Sequence, residues 1–183
     1  MKLLKWTILW LATWGISQWF WGGNPLQPTL VPGTILIIFL AALVLAFLLF
    51  PDERKVWLSR LSSWEIPVIL FGIVIFSFLD TGLFTNNILT SAHVLFQQLM
   101  IAVLVFMVPA EKFKRTLVRV LLLFGVSHLL LAVFMSWPWA LFFTILASAT
   151  AILFTFLMQR VKYGITLSFL IHLSFYLIFF NLI

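Results

Sequence analysis

No cysteine occurs among the 183 residues, and only 9% of them are charged. The first absence excludes disulfides, thiolate metal ligands and cysteine nucleophiles. The second excludes an ordinary soluble domain, which would carry roughly a quarter charged residues. Acidic residues number five against eleven Lys and Arg, and no polar segment is long enough to build a soluble domain. What remains is apolar: 64% of the chain is hydrophobic, with 21 Phe and nine Trp, and the mean hydropathy is +1.20. The net charge of +6 does not point to nucleic acid. The basic residues sit in short loops beside apolar stretches, where topology and anionic lipid account for them.

A membrane-spanning helix needs about 20 mainly apolar residues. Seven stretches qualify, at 3–21, 32–50, 66–84, 88–108, 117–136, 138–158 and 165–183. They predict an all-α integral membrane protein with a single domain over 1–183 and the lipid bilayer as its surroundings. Lys2 and Lys5 precede the first stretch, and Arg54, Lys55 and Arg60 follow the second. Lys112, Lys114, Arg115 and Arg119 follow the fourth, and Arg160 and Lys162 follow the sixth; the other connections carry no Lys or Arg. Cytoplasmic loops are enriched in Lys and Arg, so this alternation places the amino terminus inside and the carboxyl terminus outside.

The first 21 residues have a basic start and an apolar run, but no small-residue cleavage site follows, so they read as a retained span. Gly22, Gly23, Asn24 and Pro25 break the chain after it. The connections near 85–87 and 137 are short enough to make antiparallel hairpins of their neighbours. The chain is expected to end inside its last span, without a tail for a sorting signal. Residues 51–65 read as a short helix in the cytoplasmic interface. Pro51 suits a first helical position, Asp52 and Glu53 suit a helix amino end, and Trp57, Leu61 and Trp64 share one face. Trp6, Trp10 and Trp14 form a stripe on the first span that serves packing or faces lipid. Thr144, Ala147, Ser148, Ala149, Thr150 and Ala151 let neighbouring helices approach the sixth.

Few strongly polar residues lie deep in these spans: Asp80, His93, Gln97, Gln98, His128, His172 and Tyr176. An unpaired polar group in hydrocarbon costs roughly 2–7 kcal/mol, so such residues face the bundle interior or a cavity. A rise of about 1.5 Å per residue puts Gln97 roughly 14 Å, His128 roughly 12 Å and His172 roughly 16 Å from the outer ends of their spans. Three helices therefore contribute to one polar layer. His93 with Gln97, Phe124 with His128 and His172 with Tyr176 are each i, i+4 pairs on one helical face. His93 is expected to partner Gln97 or interfacial water, and Asp80 to reach interfacial water. No carboxylate accompanies the two deeper histidines, which argues against a metal site. No cofactor is expected.

The stretch Phe124-Gly-Val-Ser-His128 resembles the FxxxH motif of the CAAX-protease and bacteriocin-processing (CPBP, or Abi) family. The stretch from Gly164 through His172 to Tyr176 resembles its final HxxxN motif, including the Arg160 and Gly164 that precede the last helix. The motif-bearing match covers residues 90–183, and a CPBP-like core would span about 66–183. The resemblance implies an intramembrane protease fold in which a glutamate and a histidine activate water while a second histidine and an asparagine stabilise the oxyanion. Where the family carries EExxxR, this chain has Gln97 and Gln98 in place of the glutamates and Ala102 in place of the arginine. Tyr176 stands in place of the asparagine, and His128 and His172 are retained. A carboxamide cannot take a proton from water at any useful pH, although a tyrosine hydroxyl can still donate to an oxyanion.

The expectation is a catalytically impaired protease homologue that binds a membrane peptide or a partner protein without cutting it, in an immunity, regulatory or assembly role. Two alternatives stand beside it. One is an active endopeptidase using His128 and His172; the other is a structural subunit of a larger membrane complex. A transporter ranks below these, for want of internal repeats and paired ionisable groups. The cysteine-free chain points to a prokaryotic inner or plasma membrane.

Overall fold

The computed structural model describes residues 1–21, 32–78 and 84–180. It is 90% helical, and the described residues contain no strand. The helices are α1 (Lys2–Trp21), α2 (Pro32–Leu49), α3 (Pro51–Arg60), α4 (Glu65–Phe78), α5 (Phe84–Phe106), α6 (Phe113–Val133), α7 (Trp137–Arg160) and α8 (Gly164–Phe180). A 3₁₀ turn at Ala110–Lys112 leads into α6. Among the described residues three helices are long and apolar enough to cross a membrane: Asn87–Phe106 within α5, then α6 and α7. The bent pair α2–α3 makes a fourth if it is one span. The apolar parts described for α4 and α8, Glu65–Phe78 and Gly164–Tyr176, are shorter. The Gly22–Pro25 break and Asp80 lie outside the described residues.

Helix α5 is the hub. It packs against α2, α3, α4, α6, α7 and α8, and 89% of its apolar stretch is buried, against 28% for α6 and 39% for α7. Helix α2 shows how a nearly uniform apolar sequence chooses a face. Ile35, Phe39, Ala42 and Ala46 are buried, while Ile37, Leu40, Val44 and Leu48 on the opposite side are exposed. The buried positions follow the i, i+4, i+7 rhythm of one helical face. The exposed side is as apolar as the buried one, which suits hydrocarbon rather than water as its solvent. The Trp stripe of α1 points inward. Trp6, Trp10 and Trp14 are buried, and the Trp6 indole N–H donates to the Met100 carbonyl of α5 at 2.7 Å.

The chain turns by 101° between α2 and α3. Pro51 causes the bend: it has no N–H for the helix ladder and disfavours helical backbone at the residue before it. Phe50 accordingly sits at φ −125°, ψ 59°. Lys2 reaches across from α1 to the amino end of α3, 2.7 Å from Glu53 and 2.9 Å from Asp52. The Glu53 hydrogen bond, then that of Asp52, holds the ammonium above its ordinary 10.5. The Lys2 hydrogen bond holds Asp52 below its ordinary 3.8. Both partners are therefore charged throughout the neutral range.

Two sequence expectations shift. Helix α3 ends at Arg60 with Leu61 extended, so Leu61 and Trp64 do not continue the Trp57 face. Trp57 packs edge-on against Phe47, and Trp64 against Tyr163. The connection expected near 85–87 is instead helical, because α5 already begins at Phe84. Thr85, Asn86 and Asn87 read as turn residues by composition, but a first helical turn also accommodates them.

Close approaches fix the remaining pairs. A Cβ on Gly125 would meet Ser148 Oγ at 2.8 Å and Ser148 Cα at 3.0 Å, so α6 and α7 touch backbone to backbone where α7 is rich in small residues. There α6 leaves regular geometry, with a π stretch over Leu121–Gly125 and a 3₁₀ stretch over Val126–Val133. The α7–α8 turn is tighter still. Tyr163 takes φ 89°, and a Cβ on Gly164 would lie 1.7 Å from the Leu157 carbonyl oxygen. At the neighbouring start of α4, Glu65 accepts from the Ser62 N–H and hydroxyl, both at 2.8 Å, and from the Thr166 hydroxyl of α8 at 2.6 Å. One buried carboxylate therefore closes the capping box of α4 and ties that helix end to the first turn of α8. Gly164→Ala is expected to lower stability by about 3 kcal/mol, read as thermal unfolding of the detergent-solubilised chain. Gly33→Ala, with nothing within 4 Å of the added Cβ, is expected to match or exceed the wild type.

Candidate functional site

The polar layer is built by α5, α6 and α8. Gln97 and Gln98 are adjacent on α5 and point to different neighbours, since consecutive helical residues diverge by about 100°. Gln98 faces α8. Its amide nitrogen lies 2.9 Å from His172 Nδ1, and its Oε1 lies 3.0 Å from the Ser168 hydroxyl. Ser168 also reaches the Ile165 carbonyl at 2.8 Å. All three side chains are buried. A carboxamide carries a donor on one side and an acceptor on the other, so it can link an imidazole to a hydroxyl. A carboxylate at position 98 would have no donor for an imidazole acceptor. His172 accepts at Nδ1 and, in its neutral form, carries its proton on Nε2.

Rings enclose this pair. His172 lies 5.4 Å from Phe154 and 5.6 Å from Tyr176. Tyr176 lies 6.1 Å from His93, which stacks on Phe39 at 5.0 Å. The i, i+4 pair His172–Tyr176 is thus formed as ring contact. His93 is itself buried among these rings. Gln97 lies one turn on along the same face, and its Oε1 does not accept from His93. That oxygen is buried with no hydrogen-bond partner among the described residues.

His128 belongs to a different group of side chains. Its Nδ1 lies 2.7 Å from the Phe124 carbonyl. A carbonyl only accepts, so Nδ1 carries the proton and Nε2 of the neutral ring is left as an acceptor. The same carbonyl accepts from Ser127 at 2.8 Å, and Ser127 accepts from the Trp10 indole at 3.3 Å. The Phe124 ring packs edge-on at 4.9 Å, and Trp10 is tilted at 6.5 Å. The two deep histidines therefore hold opposite tautomers, one with Nε2 accepting and the other with Nε2 donating. Among the described residues no three histidine or carboxylate groups come together as metal ligands.

The structure thus joins Gln98, His172 and Tyr176, sets His128 beside α1, and leaves Gln97 Oε1 open. Three participants escape a reading by residue type. Ser168 is four residues before His172 on the same face, a spacing legible in the sequence. Glu65 is signalled by Ser62-x-x-Glu65, a capping box. Trp10 carries no signal beyond its stripe. Chemically the layer offers amide, hydroxyl, phenol and imidazole groups, which can hold a peptide group or a water by hydrogen bonds. Compared with family models, with curated proteins and with solved structures, the chain matches none. Its functional reading rests on its own residues. A double-mutant cycle between Gln98→Ala and His172→Ala is expected to give a coupling of about 0.6 kcal/mol, and at most about 1.7. The same cycle with Gln97→Ala is expected to give none. Equal coupling in both cycles would overturn the assignment of His172 to Gln98.

Proposed function

We propose that this chain is a CPBP-like membrane protein that has lost protease chemistry and binds a membrane peptide or partner protein through its polar layer. The observation that carries the reading is the contrast between its two glutamines. Gln98 engages His172, which is then not directed at a water by a carboxylate. Gln97 Oε1 is a buried acceptor without a partner among the described residues. Leaving such a group unsatisfied costs about 1–3 kcal/mol, a deficit that a peptide N–H entering from an adjacent segment would remove. Ala102, at the position of the family's arginine, is fully buried in the core, so no room is kept for that charge. The resident groups hold and orient; none is a carboxylate base.

In this reading all seven apolar stretches cross a prokaryotic inner or plasma membrane, with the amino terminus inside. The short apolar helices α4 and α8 would cross as part of the bundle. The alternation of Lys and Arg between loops supports that orientation, and the cysteine-free chain makes it simple to test. Single cysteines at Lys114 and Lys162 are expected to react with an impermeant maleimide only after the membrane is opened. A cysteine at Trp137 is expected to react in intact cells. The reverse pattern would refute the orientation.

The binding role is read by a photo-crosslinking residue at position 97. Crosslinks to an apolar peptide or membrane protein are expected there and not at the lipid-facing Ile145, with the captured species at full length. Cleavage of that species that disappears in His128→Ala would instead establish an active endopeptidase.

A further inference from the structure

A second site lies away from the histidines, where the α7–α8 turn meets the start of α4. A cavity of about 260 Å³ opens there, lined among others by Arg60, Ser62, Glu65, Lys162, Tyr163 and Gly164. That is below the roughly 300–1,000 Å³ of drug-sized pockets, and suits a headgroup. The cavity owes its shape to the turn itself. Gly164 admits no Cβ, and Tyr163 holds a left-handed backbone. The Tyr163 ring is pinned edge-on by Trp64 at 4.8 Å, with Lys162 Nζ 4.9 Å from its centre.

The charges of the lining define the ligand. Arg60 spends one N–H on the Met158 carbonyl at 2.9 Å and rests its guanidinium over Phe106 at 5.2 Å. The guanidinium has five N–H donors, so four are left. Lys162 is exposed at the rim. Both Glu65 oxygens already accept from Ser62 and Thr166. Glu65 therefore offsets one positive charge without turning its oxygens to a ligand. Two cations and one carboxylate leave a single positive charge in excess, the complement of a singly charged oxyanion. The site also lies beside the loops that carry the basic residues, with Trp64 and Tyr163 as the amphipathic rings expected at a bilayer interface.

We infer that this cavity binds a singly charged phosphate oxyanion, held by Arg60 and Lys162, with the phosphodiester of an anionic phospholipid headgroup as the occupant in a bilayer. Basic pockets between helices at the cytoplasmic side of a membrane take such headgroups. The inference is independent of what the histidine layer binds.

The test uses the full chain in nanodiscs of phosphatidylcholine containing a minor share of phosphatidylglycerol, with retained lipid counted by native mass spectrometry. Wild type is expected to retain phosphatidylglycerol selectively. Lys162→Gln and Arg60→Gln are each expected to lower that selectivity about fivefold, the worth of one basic side chain near an anionic surface. Arg60→Lys, which keeps the charge, is expected to restore part of it; no restoration would trace the loss to the Met158 contact and count against the inference. Lys114→Gln with Arg115→Gln, away from the cavity, is expected to leave selectivity within twofold of wild type. A second arm titrates inorganic phosphate into the detergent-solubilised chain. Phosphate binding that needs Arg60 and Lys162, without selective lipid retention, keeps the site and makes free phosphate its occupant. Neither binding, or an equal loss in the Lys114 and Arg115 control, overturns the inference.

Discussion

An apolar surrounding offers no hydrogen bonds, and this constraint orders the structure. Most polar side chains carried into the bundle meet another, or meet a carbonyl that can accept a second bond; Gln97 Oε1 is one of the few described atoms that does neither. The Gln98–His172–Ser168 chain, the Trp6 bond to the Met100 carbonyl and the Gln159 bond to Thr116 are three solutions of that kind. All join α5 to a neighbour or run beside it. The central place of α5 fits its composition: it carries more buried amide and hydroxyl groups than the other described helices.

That constraint also explains which features were legible. Helix content, apolar helices and the inward polar layer follow from composition and spacing, because hydrocarbon leaves the backbone few alternatives. The close contact of α7 followed from its small residues. The Trp stripe was legible as a stripe, but nothing in Trp6, Trp10 and Trp14 themselves says that all three point inward. That depends on Met100 and Ser127 being in reach across the bundle. The same limit applies to His93. Its i, i+4 spacing to Gln97 is correct, yet Phe39 and Tyr176, on two other helices, took the ring.

Local backbone departures were the least legible. A π stretch followed by a 3₁₀ stretch in α6 leaves no signature in Leu121–Val133, since the residues are ordinary helix formers. Eight residues of 3₁₀ backbone exceed the usual short run, and Gly125 is the point where α7 comes closest. Position 98 shows the converse. Its glutamine reads from sequence as a lost acid, whereas in the structure its amide nitrogen donates to His172 and its oxygen accepts from Ser168.

Glu65 has a consequence in time as well as in space. It receives from Ser62, three residues before it, and from Thr166, 101 residues after it. During synthesis the first partner emerges with the carboxylate itself, and the second only 101 residues later. Until then the carboxylate has only its Ser62 partners, both on one oxygen. Arrival of α8 supplies the missing hydroxyl and closes the bundle. A contact begun at Ser62 and Glu65 is thereby completed by a helix made much later, so a chain cut short before Thr166 would present an unfinished helix end as its mark.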